Sequence, residues 1–263
     1  MLFDPVNAVT NLEFYKAAAK QSLGRSFLYL AYVGLIFSLL ATFALKLKIG
    51  AAVDGTFAWL ETAVPPMTYA NGKLTSTAPM PMRLQSPNVP DVAVMLDTNR
   101  TDAVSPQQLD EQKVTAYVTA TAIYLKESNG QLRVWPLTGQ TAQQQPVKID
   151  ADFFKSAAVV LDRVMYPVAF VIIFVLFLIW KAAASLLFSV IGLLVNSLAR
   201  GGLEYNGLLN IAVYAQTLVI GLQIVALFLP FALPGGTLIS LAVTTLYLWL
   251  AVKRHSEPAS LPA

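Results

Sequence analysis

The stretch from Phe27 to Leu45, FLYLAYVGLIFSLLATFAL, carries no charge over 19 residues. Coiled at about 1.5 Å per residue, it is long enough to cross the roughly 30 Å hydrocarbon core of a bilayer. Only a helix or a closed barrel satisfies its own backbone there, so this one run restricts the chain to helical membrane architectures. The rest of the sequence agrees: 56% of the 263 residues are hydrophobic, 13% are charged, and mean hydropathy is +0.59. That is too apolar for an ordinary soluble domain.

Lys16, Lys20 and Arg25 precede the run, and Lys46 and Lys48 follow it without a small-residue cleavage site. Residues 27–49 therefore read as an uncleaved first span with a cytoplasmic N-terminus. Upstream, Phe3, Val6, Val9, Leu12 and Tyr15 recur at near-helical spacing, so residues 1–26 are expected to lie as an amphipathic helix on the inner leaflet.

Residues 50–158 change character. Of the 15 acidic residues, ten fall between Asp54 and Asp152, against eight basic ones from Lys73 to Lys155. The remainder of the chain is basic, which accounts for a pI near 9.0 through membrane orientation. No basic run interleaved with aromatics occurs, so nucleic acid is not an expected partner. Asn71-Gly72 between short β-prone runs marks a two-residue hairpin, and Ser128-Asn129-Gly130 between Tyr117–Leu125 and Gln131–Leu137 marks another. With Met82–Leu84, Val92–Leu96 and Pro146–Ile149, these predict a small antiparallel β or α+β domain outside the cytoplasm, with a helix over Asp54–Ala63.

In this domain VMLDTNRTD (Val94 to Asp102) ends an apolar run in a cluster of oxygen-bearing side chains. Asp97, Asn99 and Thr101 alternate as in a calcium loop, but the sixth position is Asp102 rather than Gly and the twelfth is Gln108 rather than Glu. The same residues suit a strand exit, where Asx side chains satisfy backbone donors, and this turn reading is preferred. The chain has no cysteine, and its single histidine, His255, follows the last apolar segment. Thiol catalysis and Cys-ligated zinc are thereby excluded, and for His255 a basic residue at a membrane end is preferred to a catalytic role. Carboxylate pairs at Asp110-Glu111 and Asp150/Asp152 read as solvated surface charge. No enzyme activity, metal or cofactor is expected.

Residues 159–253 return to the membrane. From Val164 to Ala199 the chain is apolar except for Lys181 and scattered small or polar residues, too long for one span of about 20 residues. A turn near Lys181 would make two spans; one long helix is the alternative. Lys181, Ser185, Ser189, Gly192, Asn196 and Arg200 form one small and polar stripe, suited to helix packing in lipid or to an interfacial helix. Leu208–Phe231 and Leu238–Val252 follow, joined by LPGGT at Leu233 to Thr237. Lys253, Arg254 and His255 close the last span, ahead of a tail at 254–263. Positive charge at that end favours four spans, apolar length five.

Several short motifs carry a resemblance: EFYKAAAKQSLGRSFLYLAYV, the NGKL hairpin followed by VMLDTNRT, YLKESNGQLRV, and LARGGLEYNGLLNIAVYAQT. The chain resembles the bacterial membrane proteins grouped as domain-of-unknown-function family 1189, some of which are named maltodextrin-utilisation proteins. Its membrane half is similar to the Yip family, with Gly201-Gly202 and Tyr214-Ala215-Gln216-Thr217 matching and Leu218 where that family has Pro. The resemblance implies a Yip-like core of five spans in the bacterial cytoplasmic membrane, and five spans are slightly favoured on that account.

The polar residues Asn196, Arg200, Glu204, Asn210, Tyr214, Gln216, Thr217 and Gln223 are the candidate ligand or helix-contact positions. Asn210, Tyr214, Thr217 and Gly221 share one helical face. Because most are neutral amides or hydroxyls, hydrogen bonding between helices is preferred to a permeation path. The expected function is that of a non-enzymatic accessory protein. It would be embedded in the lipid bilayer and dock another membrane protein, or a second copy, through its outer domain and helical core. Small-molecule or lipid handling through residues 196–223 is the alternative.

Overall fold

A computed structural model describes residues 2–87, 92–127, 129–137, 145–231 and 235–256. The chain divides into two compact units, one of residues 1–47 with 165–263 and the other of residues 48–164.

The first unit is helical. It opens with α1 (Asp4–Thr10) and α2 (Phe14–Ala18) and enters the membrane through α3 (Leu23–Ala63). Its later part is built from α5 (Ala151–Ala199), α6 (Tyr205–Ala215), α7 (Thr217–Leu227) and α8 (Gly236–Ser256), α4 belonging to the second unit. Four helices among the described residues are long and apolar enough to cross a membrane: α3, α5, α6 continued by α7, and α8. The helix expected over Asp54–Ala63 is the last part of α3, which ends where Pro65 and Pro66 bar continuation.

The turn near Lys181 that a fifth span requires is absent. α5 runs unbroken for 49 residues, about 70 Å at roughly 1.5 Å per residue, more than twice a hydrocarbon core. Nothing at Lys181 breaks a helix: the flanking residues, Trp180 and Ala182 to Ala184, are free of Gly and Pro, and the polar stripe is turned inward. Lys181, Ser185, Ser189 and Gly192 are buried, whereas Ile179, Trp180, Leu186, Leu187, Val190 and Leu194 are exposed. An inside more polar than the outside is what lipid demands of a helix surface.

The amphipathic segment also departs from expectation. It forms two short helices, and Asn11 breaks them by accepting the Glu13 N–H on its side chain. Ala8, Tyr15 and Ala18 are buried in the helical core, and Leu2, Phe3 and Val6 are exposed. Tyr15 donates its hydroxyl to the Ala8 carbonyl at 2.7 Å, which folds α2 back on α1.

α6 is the centre of this unit. Every residue from Gly207 to Ala215 is buried, with α2 and α8 packed beside it. Close approach elsewhere depends on Gly34, where a Cβ would meet the Phe177 ring at 2.9 Å, beneath the stack of Phe37 on Phe177 at 4.7 Å.

The second unit holds two sheets and α4 (Pro106–Glu111). β1 (Met67–Ala70), β2 (Lys73–Ser76) and β8 (Val147–Ile149) form one, in the order β2-β1-β8. The other contains β3 (Met82–Gln85), β4 (Ala93–Asp97), β5 (Ala116–Thr119), β6 (Ala122–Lys126) and β7 (Leu132–Pro136), in chain order. Asn71 and Gly72, at φ 52° and 74°, make the β1–β2 turn, the two left-handed residues of a type I′ hairpin. Ser128 of the second expected hairpin lies outside the described residues; its strands β6 and β7 pair antiparallel.

Two expectations fail here. Tyr117–Leu125 is not one strand, because the buried Thr119 hydroxyl accepts the Ala122 N–H at 3.0 Å and turns β5 back as β6. Nor is the sheet wholly antiparallel: β4 and β5 run parallel, joined by a crossover that carries α4, so the unit is α+β. Leu109 of α4 packs on Ala93, Tyr117 and Tyr124 as the small core of this unit.

If the α3–α5 contact depends on the missing side chain at Gly34, Gly34→Leu should destabilise the detergent-solubilised protein by about 1–3 kcal/mol through overpacking. Gly24→Ala, where the space is open, should not destabilise it. Thermal unfolding of both variants checks this, and equal effects would refute it.

Candidate functional site

The calcium-like stretch resolves first. Asp97 ends β4 and accepts the Asn99 N–H at 3.2 Å, an Asx turn, while the Arg100 N–H bonds the Asp97 carbonyl at 3.3 Å. Arg100 then folds over the turn, donating to Asp102 Oδ2 from Nε and Nη2 at 3.1 and 3.0 Å, and to the Ala103 carbonyl and Gln108 Oε1 at 3.1 Å each. Gln108 also completes the capping box of α4 with Ser105. Its own backbone N–H and Arg100 hold the Asp102 carboxyl below the usual carboxylate range. The oxygens of the cluster serve a turn, and among the described residues no group of three or more His, Asp or Glu could hold a metal ion.

In the helical unit the sequence candidates separate into two sets. Asn210, Tyr214, Gln216 and Thr217 are buried and joined to neighbouring helices. Asn210 uses both ends of its amide: Oδ1 accepts from Ser26 Oγ at 2.7 Å and Nδ2 donates to the Gln21 carbonyl at 2.7 Å. One turn on, Tyr214 donates its hydroxyl to Gln21 Oε1 at 2.9 Å. Thr217 donates to the Tyr214 carbonyl at 2.6 Å and lies 2.7 Å from the Tyr29 hydroxyl. Since Thr217 has one proton, already committed, Tyr29 is the donor. These residues therefore fasten one face of α6–α7 to the α2–α3 corner, as their helical spacing predicts.

Gln216 faces the other way. Its Nε2 lies 2.7 Å from Ser185 Oγ, 3.4 Å from the Lys181 carbonyl and 3.3 Å from the Ala212 carbonyl. The same residue interrupts the helix, so α6 ends and α7 begins without the proline that Leu218 replaces. Side-chain bonds from Gln216 and Thr217 back to the preceding turn supply the local cause.

Asn196, Arg200 and Glu204 build the α5–α6 corner. α5 closes in a Schellman motif: Gly201 N–H bonds the Asn196 carbonyl at 3.0 Å, Arg200 N–H bonds the Ser197 carbonyl at 3.4 Å, and Arg200 sits at φ 50°. Asn196 then clamps Leu203 through two bonds of 3.0 and 3.2 Å. Arg200 and Glu204 themselves are exposed, Gln223 is half-buried, and Gly221 is exposed; none joins the network. Gln21, Ser26, Tyr29 and Ser185 do join it. Ser185 was visible in the polar stripe, but nothing in the spacing of Gln21, Ser26 and Tyr29 announced partners near residue 210.

This architecture is that of a helical membrane protein with a small α+β unit inserted between two long helices. The sequence profile of a family described as "Protein of unknown function (DUF1189)" matches residues 6–252, and the chain belongs to that family. No curated protein and no solved structure matches the chain.

Bonds between membrane helices contribute about 0.6–1.7 kcal/mol each, so Asn210→Leu, which strands Ser26 and the Gln21 carbonyl, should cost about 1–3 kcal/mol. Gln223→Leu should stay within about 0.5 kcal/mol of wild type. Denaturant titration in mixed micelles reads both; a neutral Asn210→Leu would show that the network holds nothing.

Proposed function

We propose that the protein is a non-catalytic accessory subunit of the bacterial cytoplasmic membrane that docks another membrane protein through its outer α+β unit. The observation that carries this reading is the β7 edge. Among the described residues β7 pairs only with β6, and it presents Val134 and Trp135 at 46% and 43% exposure beside Arg133, whose guanidinium lies over the Trp135 ring. An exposed edge strand bearing a large aromatic is a template for strand addition by a partner. Asn210, Tyr214, Gln216 and Thr217 of the helical unit, by contrast, spend their bonds on neighbouring segments of that unit.

On this reading the chain crosses the bilayer four times. Tyr247 of α8 donates to the Val9 carbonyl of α1 at 3.0 Å, and Arg254 pairs with Glu13 at 2.6 Å, so the two ends of the chain meet at one side. An even number of crossings follows, with Lys16, Lys20, Arg25, Lys253 and Arg254 in the cytoplasm and residues 50–158 outside. A second reading, small-molecule or lipid handling, is favoured by one residue. Lys181 is 5% exposed on a spanning helix, with its ammonium 5.9 Å from the centre of the Phe177 ring, and intramembrane cations of this kind mark ligand paths.

Affinity purification from native membranes tests the first reading. A stoichiometric protein retained by the wild type should be lost with Trp135→Glu and kept with Lys181→Met; the opposite pattern would favour the second. Topology is read by single-cysteine labelling, which the cysteine-free chain makes clean. An impermeant maleimide should label Glu111→Cys on intact cells, and Thr10→Cys and Lys253→Cys only after permeabilisation. External labelling of Lys253→Cys would mean an odd number of spans.

A further inference from the structure

The turn between α1 and α2 meets the last turn of α8 around an open pocket of about 410 Å3, lined by Thr10, Asn11, Leu12, Glu13, Leu250, Lys253 and Arg254. Its volume lies in the range of about 300–1,000 Å3 usual for small-ligand sites. It stands at the end of a 20-residue span, Gly236–His255, and so at the level of a membrane surface. The pocket is two-sided in chemistry. Leu12 and Leu250 give it an apolar wall, and Lys253 and Arg254 a cationic one.

More positive charge gathers here than the end of one helix accounts for. Basic residues in a last helical turn complement the helix dipole and mark the cytoplasmic side, and Lys253 and Arg254 do both. Tertiary folding adds two cations from the opposite end of the chain: Lys16 lies 3.0 Å from Glu13, and Lys16 and Lys20 lie within electrostatic reach of His255. Glu13 already shows what the site prefers. Its carboxylate accepts from Arg254 and Lys16, and these bonds hold it below the ordinary carboxylate range. Glu13 thus binds a cation from each end of the chain, Lys16 and Arg254.

The rim is built for lipid. Trp249 is exposed one turn before Lys253, whose ammonium lies 5.3 Å from the indole centroid, and Leu2, Phe3 and Val6 of the neighbouring segment are exposed as well. Tryptophan beside a cation, with apolar side chains at the same level, is the composition of a headgroup boundary.

We propose that this pocket binds the phosphate headgroup of an anionic phospholipid. Lys253 and Arg254 would contact the phosphate, Lys16 and Lys20 supply the surrounding field, and Leu12 and Leu250 cover the glycerol and first methylenes. A phosphodiester fits better than a carboxylate ligand because it can engage Lys253 and Arg254 together while Glu13 keeps Lys16. A soluble phosphate ester would leave the apolar wall uncovered. The inference is independent of the docking role of the outer unit and holds or falls separately from it.

The test uses full-length protein in neutral detergent, with native mass spectrometry to count bound molecules during titration with phosphatidylglycerol, phosphatidylcholine or glycerol 1-phosphate. Phosphatidylglycerol should bind the wild type at least tenfold more tightly than either of the others. At about a fivefold effect per basic residue near a membrane surface, Lys253→Gln should weaken it about fivefold and Lys253→Gln with Arg254→Gln about twenty-fivefold. Lys253→Arg should bind as wild type, as should Lys113→Gln in the outer unit. Lys253→Gln leaves the Glu13 pair intact and guards against a folding defect in the double variant. Equal binding of phosphatidylcholine, unchanged affinity in both Gln variants, or glycerol 1-phosphate binding as tightly as the lipid would each overturn the proposal.

Discussion

Asn210 accepts from Ser26 and donates to the Gln21 carbonyl, and the helical unit is organised around that amide. A neutral side chain with both its donor and its acceptor engaged can be sealed among apolar residues at small cost, whereas a charge there would demand a counter-ion. Because Asn210 is sealed, α6 can be buried from Gly207 to Ala215, with α2 and α8 packed against it. The apolar surface left over points outward on α3, α5 and α8, where a bilayer supplies its surroundings. Polarity inside and hydrocarbon outside reverse the soluble pattern, and the reversal is what allows a 49-residue helix with a buried lysine to persist without a break.

Features governed by local rules were legible before the fold was known. Asn71-Gly72 dictated its hairpin, because few other dipeptides tolerate two successive left-handed residues. The small and polar stripe on α5 told which face packs, because 3.6-residue periodicity does not depend on the partner's identity. Asn210, Tyr214 and Thr217 fell on one face for the same reason. Features governed by distant partners were not legible. The length of Val164–Ala199 suggested a turn at Lys181, because apolar length alone cannot distinguish a second span from a helix that outruns the bilayer. Phe3, Val6 and Tyr15 were expected together on one leaflet-facing side, yet Phe3 and Val6 are exposed while Tyr15 is buried in the helical core with Ala8 and Ala18. The parallel pairing of β4 with β5 was hidden too, because register between strands joined by a crossover is set by the sheet rather than by the turn.

The helical unit and the α+β unit are braced by unlike means. In the α+β unit Arg100 links a turn, a capping box and Tyr117 of β5, a charged residue acting as a short-range brace. In the membrane unit comparable bracing falls to amides and hydroxyls. The candidate site is thus best understood as a structural seam, which Lys181 joins through its backbone carbonyl.

The separation in sequence between the partners of that seam bears on how the protein is made. Ser26 and Asn210 are 184 residues apart, Tyr29 and Thr217 188, and Gln21 and Asn210 189. A ribosome delivers the first span and the whole α+β unit long before α6 exists. During that interval the hydroxyls of Ser26 and Tyr29 sit in or beside the bilayer with their final partners unsynthesised. The nascent chain needs interim company for them, from water at the interface, from an insertion machine or from a chaperone. Biogenesis is therefore the stage at which this protein is most dependent on its surroundings, and any truncation upstream of residue 210 leaves the first span permanently in that state.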